Sequence, residues 1–278
     1  MAKLEGESAY ISFEELEEII GLLRQLSGFD LSGYTRSSLK RRVQRVMGLD
    51  RMDFVDLKSA LINIPGFQTY LMYEITVNVT EMFRDPDFFE ELNTSAIPYL
   101  RTFPRVKVWS AGCSSGEEVY SLAILLAQNK LYERSFIYGT DVNSNIIEVA
   151  KKGIYPLQKI KIYTENFNRY TTEDSFSKYY TVKYDMAIIS NYLRTNTLFS
   201  THNLATDSVF NEFQLITCRN VMIYFDQQLQ SRVIELLYNS LATFGFLCLG
   251  AKENLTNHPI IDKFRIVNRQ HNIYQKIK

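Results

Sequence analysis

Short apolar runs that alternate with helical patterns are the feature of this sequence that most constrains its fold. The runs are VKVWSAGC (106–113), SFIYGTD (135–141), FQLITC (213–218) and FGFLCLGA (244–251). Helical patterns lie between them, at about 117–129, 144–152 and 227–243. Strands that alternate with helices in this way are typical of a mostly parallel sheet with helices on both faces. The sequence therefore predicts a doubly wound α/β fold, in which ligands bind at the carboxyl edge of the sheet.

The first part of the chain has a helical pattern only. Apolar residues recur at helical spacing from Ser12 to about Leu71. Ser12 followed by Glu15 fits a capping box, Gly28 fits a helix end, and Pro65-Gly66 fits a break between helices. We therefore expect residues 1–77 to form a small all-helical N-terminal domain with its linker, and residues 78–278 to form the α/β domain.

Two later segments are typical of antiparallel strands. KYYTVKY (178–184), MAIISNY (186–192) and TLF (197–199) are rich in residues that favour strands, and no helical pattern separates them. We therefore expect a small antiparallel β-subdomain inserted at about 163–199. The C-terminal run FRIVNRQHNIYQKI (264–277) predicts a last hairpin strand at the sheet edge.

Composition argues against several functional classes. The three cysteines and three histidines show no ligand-like spacing, so no metal site is expected. The formal net charge of zero argues against broad nucleic-acid binding. No run approaches the roughly 18 to 20 apolar residues of a membrane span, and the N-terminus is acidic where a secretory signal would be apolar. We therefore expect a cytoplasmic protein without direct membrane insertion.

The zero net charge hides two oppositely charged stretches. Between Glu5 and Glu18 there are six acidic residues and no basic residue. The following helical segment is basic and contains Arg36, Lys40, Arg41, Arg42, Arg45 and Arg51, opposed only by Asp50. A solvated helix face is the ordinary interpretation of such a run, and a docking surface for an acidic partner is the functional one.

The turn after the first apolar run predicts a ligand site. Gly112 and Gly116 let the backbone approach a ligand closely at the carboxyl end of the first strand. Glu117 and Glu118 follow in the first helical turn, whereas a phosphate binder would offer bare N–H groups there. They favour a ligand with positive charge and hydroxyls, such as S-adenosylmethionine, although both could simply complement the helix dipole.

Asp141 ends the second apolar run, about two dozen residues after the glycine turn. An acid at this position can accept both ribose hydroxyls of a nucleoside. The same residue could instead cap the next helix, and its spacing leaves an NAD-dependent dehydrogenase open. Such an enzyme would ordinarily carry a GxGxxG turn, which this chain lacks.

Polar residues mark two further segments. In ITVNVTEMFRDPDFF (75–89), the spacing of Asn78, Thr80 and Arg84 could direct their polar groups toward one site, although an arginine in such a run is usually a surface residue. In FQLITCRNVMIYFD (213–226), Arg219 and Asn220 follow the strand, and Tyr224 follows them. Tyr224 could equally be a core aromatic residue.

Taken together, these segments resemble the CheR family of chemotaxis methyltransferases. The family runs TxNxTxFFRD, GCSxGEEPYS, TDI and CRNVxIYF correspond to TVNVTEMFRD (76–85), GCSSGEEVYS (112–121), TDV (140–142) and CRNVMIYF (218–225). The resemblance covers nearly the whole chain in the same order. It implies a class I, Rossmann-like methyltransferase that moves a methyl group from S-adenosylmethionine to glutamate side chains of methyl-accepting chemotaxis proteins. S-adenosylhomocysteine would be the product, and no metal would be needed.

The resemblance also implies roles for individual residues. Arg84 and Tyr224 match the family positions that face the methyl group and the acceptor. Cofactor contacts are implied for a larger set, namely Asn78, Thr80, Arg84, Gly112, Glu117, Asp141, Asn203, Leu204, Arg219 and Asn220. In the family, the basic second helix contacts the cytoplasmic helical domain of the receptor. Here that helix carries Lys40, Arg41, Arg42 and Arg45.

The chain departs from the family pattern in several places. Val77 stands where threonine or serine is usual, Met82 replaces the first aromatic residue of the FFR run, and Val119 replaces a proline. Family members that dock on a receptor's C-terminal pentapeptide carry a glycine-rich loop in the β-subdomain, whereas this chain has no glycine between Gly153 and Gly245. We therefore expect pentapeptide-independent methylation. A signalling module that binds S-adenosylmethionine without catalysis is the alternative.

Overall fold

The computed structural model describes residues 10–76 and 79–278, which fall into two compact units. The first unit comprises Met1–Val77 together with Tyr224–Gln230. The second comprises Asn78–Ile223 and Ser231–Lys278. Within the described residues, no helix has both the length and the apolar character that a membrane span requires.

The first unit is built from helices α1 (Phe13–Ser27), α2 (Arg36–Asp50), α3 (Phe54–Asn63) and α4 (Phe67–Ile75). Ser12 and Glu15 form the predicted capping box, in which each side chain bonds to the other residue's backbone N–H. Gly28 ends α1 with a φ of 75°, and Gly66 precedes α4, so both predicted helix boundaries are confirmed. The apolar residues that recur at helical spacing, such as Leu16 and Val43, form the buried core of this unit.

The second unit contains a seven-stranded sheet. The helices of the second unit are α5 (Pro86–Ser95), α6 (Ile97–Leu100), α7 (Glu117–Gln128), α8 (Ser144–Lys152) and α9 (Leu157–Tyr170). Helix α10 (Gln227–Asn239) follows, and its first residues belong to the first unit. The sheet strands are β1 (Val106–Ala111), β2 (Ser135–Asp141), β6 (Thr197–Thr201), β7 (Phe213–Cys218), β8 (Leu241–Leu249), β9 (Phe264–Asn268) and β10 (Ile273–Lys276).

The order of the strands confirms the doubly wound α/β fold. It is β6-β2-β1-β7-β8-β10-β9, and the first five strands are parallel. Strand β10 is antiparallel to both β8 and β9, as the predicted C-terminal hairpin requires. Parallel strands are covered by helices on both faces, which explains the nearly continuous burial of β1, β7 and α7.

A separate three-stranded antiparallel sheet consists of β3 (Ile154–Pro156), β5 (Met186–Ile189) and β4 (Tyr180–Lys183). Lys183 pairs with Met186, so only Tyr184 and Asp185 form the turn between β4 and β5. Tyr184 has a φ of 53°, a conformation that a two-residue hairpin turn requires. The predicted small antiparallel sheet is therefore present.

Three local expectations were wrong. Residues 163–170 were expected in the antiparallel β-subdomain, but they belong to helix α9, which covers residues 157–170. The buried Ile160, Tyr163 and Phe167 recur at helical spacing, although tyrosine and isoleucine individually favour strands. Residues 197–199 were expected in the small antiparallel sheet, but they belong to β6, which pairs in parallel with β2 in the main sheet. A short apolar run does not show whether a strand is parallel or antiparallel. Helix α10 ends at Asn239 and not near residue 243, because β8 begins at Leu241.

A candidate cofactor site at the carboxyl edge of the sheet

The parallel strands of the second unit bring four of the predicted segments to one edge of the sheet. Ala111 at the end of β1 lies beside Thr140 of β2, and Asp141 lies beside Thr201 at the end of β6. On the other side of β1, Ser110 pairs with Thr217 near the end of β7. The residues that follow these strands therefore lie along the same crevice, where doubly wound sheets bind nucleotides.

The turn after β1 has a conformation that its small residues permit. Gly112, Ser114 and Gly116 have φ values of 76°, 50° and 91°. The backbone N–H groups of Gly112 and Cys113 both donate to the Thr140 carbonyl oxygen at 2.8 Å, which fixes the turn against β2. A Cβ atom at Gly112 would lie 2.4 Å from Val221 Cγ2, so glycine is required there both for its φ and for space.

Asp141 offers the hydrogen-bond acceptors that ribose hydroxyls need. The half-buried side chain accepts the Ser114 N–H through Oδ2 at 2.9 Å and the Asn143 N–H through Oδ1 at 3.0 Å. Each carboxylate oxygen can accept a further hydrogen bond, so both ribose hydroxyls could be bound. Burial raises the pKa of Asp141 above its usual value. The arrangement fits an adenosine group held beside the glycine turn.

Residues after β6 extend the crevice next to Asp141. The His202 N–H donates to the Asp141 carbonyl oxygen at 3.1 Å. Leu204 is buried, and the Asn203 side-chain oxygen accepts the Ala205 N–H at 2.9 Å. Asn203 and Leu204 are thus brought close to Asp141, as expected, and their cofactor contacts remain a proposal.

Glu117 is fully buried at the start of α7. Its Oε1 atom accepts hydrogen bonds from the Tyr163 hydroxyl at 2.8 Å and Lys159 Nζ at 3.2 Å, and Oε2 accepts from the Ser115 hydroxyl at 2.6 Å. Burial and the neighbouring carboxylate of Glu117 raise the pKa of Tyr163. Glu117 therefore stabilises the glycine turn from within the unit, and its expected contact with the cofactor stays a prediction.

Glu118 was noted in the sequence beside Glu117, but its contacts with two strands of the sheet were not predicted. Its Oε1 atom accepts from the Ser110 hydroxyl at 2.8 Å and the Thr217 hydroxyl at 2.6 Å, which belong to β1 and β7. Its Oε2 atom lies 3.1 Å from Arg219 Nη1. Ser110 and Thr217 were the signal for this contact in the sequence, because they stand in two mostly apolar strands and buried hydroxyl groups need hydrogen-bond partners.

Arg219 connects the end of β7 to the segment that carries Arg84. Its side chain is only 3% exposed and forms ion pairs with Glu118 and, at 2.7 Å, with Asp85. Nη2 also donates to the Arg84 carbonyl oxygen at 3.2 Å, and the guanidinium lies 3.9 Å from the centre of the Phe88 ring. Arg219 thus fixes the backbone at Arg84, and its cofactor contact stays a prediction.

Arg84 is anchored through its neighbours and not through its own side chain. The adjacent Phe83 is buried against Phe89 and Phe167, with ring centres 5.0 Å apart in each pair, and its N–H donates to the Ser121 hydroxyl. Arg84 itself is half-buried and donates to the Val79 carbonyl oxygen at 3.3 Å. It has no ion-pair partner among the described residues, so its guanidinium is available to an anion.

Thr80, Asn220 and Asn78 are the remaining predicted cofactor residues. Thr80 is half-buried in the same segment as Arg84. Asn220 follows Arg219 with a φ of 61° and lies at the crevice edge after β7. Asn78 lies outside the described residues, so its place in the site remains a prediction.

Glu253 is a residue that the sequence did not identify as part of the site. It is 5% exposed, and its carboxylate accepts five backbone N–H groups. Four come from residues 220–223 at 2.7 to 3.2 Å, and the fifth comes from Gly250 at 2.7 Å. A single side chain after β8 therefore holds the backbone of the loop after β7, including Asn220.

Replacing Glu253 with glutamine is expected to weaken both folding and cofactor binding. The glutamine side chain has an NH2 group in place of one carboxylate oxygen, so a donor would face backbone N–H groups that need an acceptor. We expect this mismatch to lower the free energy of unfolding by about 2 to 3 kcal/mol. Because the loop with Asn220 is released, affinity for S-adenosylhomocysteine should also fall. Urea unfolding and calorimetric titration measure the two effects, with Glu90→Gln on the exposed face of α5 as control. Wild-type stability in Glu253→Gln would contradict this role.

The predicted recognition residues and Tyr224 belong to the first unit. On α2, Arg41 and Arg45 are exposed, whereas Lys40 is half-buried with Nζ 4.4 Å from the centre of the Phe13 ring. Arg42 is half-buried and lies 4.4 Å from the centre of the Tyr224 ring. Arg41 and Arg45 are therefore the two bases most accessible to a partner.

Metal-binding side chains do not cluster in the described part of the chain. No group of three or more histidine, cysteine, aspartate or glutamate side chains there could hold a metal ion. Burial raises the pKa of the thiols of Cys113, Cys218 and Cys248, so all three are poor nucleophiles.

Comparison with known proteins supports the cofactor assignment. The CheR methyltransferase S-adenosylmethionine-binding domain matches residues 78–273, and the CheR methyltransferase all-alpha domain matches residues 14–76. A Pseudomonas putida protein provisionally named methyltransferase Cher3 is 41% identical over 94% of this chain and 96% of its own length. The Pseudomonas aeruginosa protein named chemotaxis protein methyltransferase 2 is 28% identical over 88% of this chain and 88% of its own length. The Listeria innocua protein named chemotaxis protein methyltransferase is 30% identical over 83% of this chain and 86% of its own length.

Solved structures give only a distant likeness. The plantazolicin methyltransferase BpumL in complex with S-adenosylhomocysteine has a TM-score of 0.36 and 14% identity, over 74% of this chain and 59% of that chain. The domain matches cover nearly the whole sequence. The chain therefore belongs to the CheR methyltransferase family and contains the family's S-adenosylmethionine-binding domain.

Proposed function

We propose that this chain methylates glutamate side chains in the cytoplasmic helical domain of chemoreceptors, giving glutamate methyl esters for sensory adaptation. Relatives named chemotaxis protein methyltransferases support the pathway. The observation that carries the choice of acceptor is Arg84, a half-buried guanidinium without an ion-pair partner among the described residues, in the same unit as Asp141. A planar guanidinium fits a carboxylate through two parallel hydrogen bonds.

The acceptor needs no general base. A glutamate side chain has a pKa of about 4.3 and is already ionised at neutral pH. Its oxygen forms a bond to the methyl carbon while the carbon–sulfur bond breaks, and the bonding electron pair stays on sulfur. S-adenosylmethionine supplies the methyl group on a positively charged sulfur. The step removes both charges, so the protein gains most by aligning the groups and excluding water, which could contribute roughly 7 kcal/mol or more.

We assign each of these tasks to particular residues. Arg84 holds a carboxylate, and Tyr224 orients the attacking oxygen or contacts the methyl group. Asp141 accepts the ribose hydroxyls, and the other proposed cofactor contacts are Asn78, Thr80, Gly112, Glu117, Asn203, Leu204, Arg219 and Asn220. Residues 1–77 form the proposed recognition domain and residues 78–278 the methyltransferase domain, which includes the small antiparallel sheet of β3, β5 and β4. The reaction takes place in the cytoplasm, where this receptor domain lies.

Recognition is proposed to be electrostatic and independent of a receptor pentapeptide. The exposed bases of α2, Arg41 and Arg45, attract an acidic helical bundle, and the half-buried Lys40 and Arg42 lie on the same helix. The two-residue turn of Tyr184 and Asp185 supports pentapeptide independence, because it leaves no room for a long glycine-rich loop between β4 and β5.

Reversing the charge of Arg41 and Arg45 together is expected to raise KM for the receptor about tenfold at low salt, with a smaller effect on kcat. The difference from wild type should shrink as salt is added, because exposed charges are screened within about 8 Å at physiological ionic strength. Methylation kinetics at several salt concentrations measure this. Lys161→Glu, on the exposed face of α9, is the matched control. An unchanged KM in the double variant would remove these residues from recognition.

The function is tested by incubating the full chain with labelled S-adenosylmethionine and membranes enriched in chemoreceptors. Mild base releases methanol from carboxylate esters, so labelled methanol is the expected product. Receptors with and without a C-terminal pentapeptide should react equally well. Binding of S-adenosylmethionine without any methyl transfer would instead favour a catalytically silent signalling module. Transfer that requires the pentapeptide would contradict the proposed mode of recognition.

A further inference from the structure

Arg42 differs from Arg41 and Arg45, two of the other bases proposed for receptor recognition on α2. Arg41 and Arg45 are exposed, whereas Arg42 is half-buried within the first unit. Its Nη1 atom donates to the Ile75 carbonyl oxygen at 2.7 Å, at the end of α4. Its guanidinium lies over the face of the Tyr224 ring, 4.4 Å from the ring centre. Arg42 is therefore bound inside the unit and is poorly placed to bind a partner.

The backbone around Tyr224 is held at the start of the same helix. Thr35 precedes α2, and its N–H donates to the Tyr224 carbonyl oxygen at 2.9 Å. Tyr34 pairs with Phe225 in an antiparallel bridge, and their rings are 4.9 Å apart in an edge-to-face arrangement. The Asp226 N–H donates to the Gly33 carbonyl oxygen at 2.8 Å. Three consecutive residues that begin with Tyr224 are thus fixed by the three residues before α2.

This connection leaves little space for rearrangement. A Cβ atom at Gly33 would lie 2.7 Å from Leu229 Cδ2 and 2.8 Å from Leu229 Cβ, so the backbone at Gly33 packs directly on the segment that follows Tyr224. Helix α2 therefore contacts Tyr224 in two ways, through the backbone before its first residue and through the Arg42 side chain about two turns later. A guanidinium on the face of an aromatic ring restricts the orientation of that ring.

We propose that Arg42 is a positioning residue for Tyr224 and not a receptor contact, so that the basic helix α2 both offers exposed bases to the receptor and orients Tyr224. The inference rests on the proposed function, because Tyr224 has a role in methyl transfer only there. A partner that engages Arg41 and Arg45 would contact the same helix that holds Tyr224.

The test separates turnover from recognition. Arg42→Gln removes the cation, and we expect kcat to fall about tenfold. KM for the receptor, its dependence on salt and the Kd for S-adenosylhomocysteine should stay within about twofold of wild type. Arg42→Lys, which keeps a cation near the ring, should recover part of kcat. Arg41→Gln is the matched comparison and should raise KM with kcat retained. A rise in KM with unchanged kcat in Arg42→Gln would overturn the inference.

A double-mutant cycle with Tyr224→Ala tests whether Arg42 acts through Tyr224. If it does, Arg42→Gln causes no further loss of kcat once the Tyr224 ring is absent. Equal fractional losses in both backgrounds would contradict the inference. Circular dichroism and the thermal midpoint identify any variant that fails to fold, in which case the same cycle with Arg42→Lys gives the answer. Absence of methyl transfer by the wild-type chain would overturn the proposed function itself, whereas the outcomes above concern only Arg42.

Discussion

Alanine at position 84 is expected to lower kcat for receptor methylation about 1,000-fold, equivalent to roughly 4 kcal/mol of transition-state stabilisation. The reason is that the Arg84 guanidinium is half-buried, lacks an ion-pair partner among the described residues and is free to hold a carboxylate. The Kd for S-adenosylhomocysteine should change much less. Initial rates at saturating substrates and calorimetric titration of the product measure the two quantities.

The controls for Arg84 separate charge from geometry. Arg84→Lys keeps the positive charge but loses the planar fork, so it should recover only a small part of kcat. Arg105→Ala removes an exposed arginine just before β1 and should behave as wild type. Near-normal turnover in Arg84→Ala would exclude Arg84 from the reaction. A large rise in Kd with normal kcat would assign it to the cofactor's own carboxylate.

Asparagine at position 141 is expected to raise the Kd for S-adenosylhomocysteine about 30- to 100-fold, or roughly 2 to 3 kcal/mol. The carboxylate accepts the N–H groups of Ser114 and Asn143 and has capacity for two ribose hydroxyls. An amide nitrogen in place of one oxygen cannot accept either bond. Calorimetry measures the change, with the exposed Asp262→Asn as control. An unchanged Kd would remove Asp141 from the site.

Affinity should also depend on pH with a definite sign. Only the ionised form of Asp141 accepts both hydroxyls, so affinity falls as pH is lowered through its pKa. Because burial raises the pKa of Asp141, this loss begins at a higher pH than for an exposed aspartate, whose pKa is about 3.9. The Asp141→Asn variant should lack this dependence.

The sequence predicted those parts of the molecule that depend on local pattern. Strands that alternate with helices implied the parallel sheet, and parallel strands carry Gly112, Asp141 and Asn220 to one edge by geometry alone. Helix α9 was missed because Ile160, Tyr163 and Phe167 favour strands individually, although their spacing is helical. The burial of these three side chains on one face favours the helix over a strand.

The contacts that support the site could not be predicted in the same way. Glu253 binds the backbone of residues 220–223, about 30 positions earlier in the chain, and no spacing rule connects them. Arg219 was predicted to contact the cofactor, and no pattern in the sequence indicated that its side chain also forms ion pairs with Glu118 and Asp85. Arg42 was grouped with its basic neighbours on α2, and only the tertiary structure shows that it packs on Tyr224.

Mass spectrometry of chemoreceptors after incubation with the enzyme and methyl-labelled S-adenosylmethionine tests most directly which group receives the methyl. We expect the label as base-labile esters on glutamate side chains of peptides from the cytoplasmic helical region, and we expect it to be lost in Arg84→Ala. Label confined to lysine, to a chain terminus or to another stable linkage would contradict glutamate methylation by this crevice.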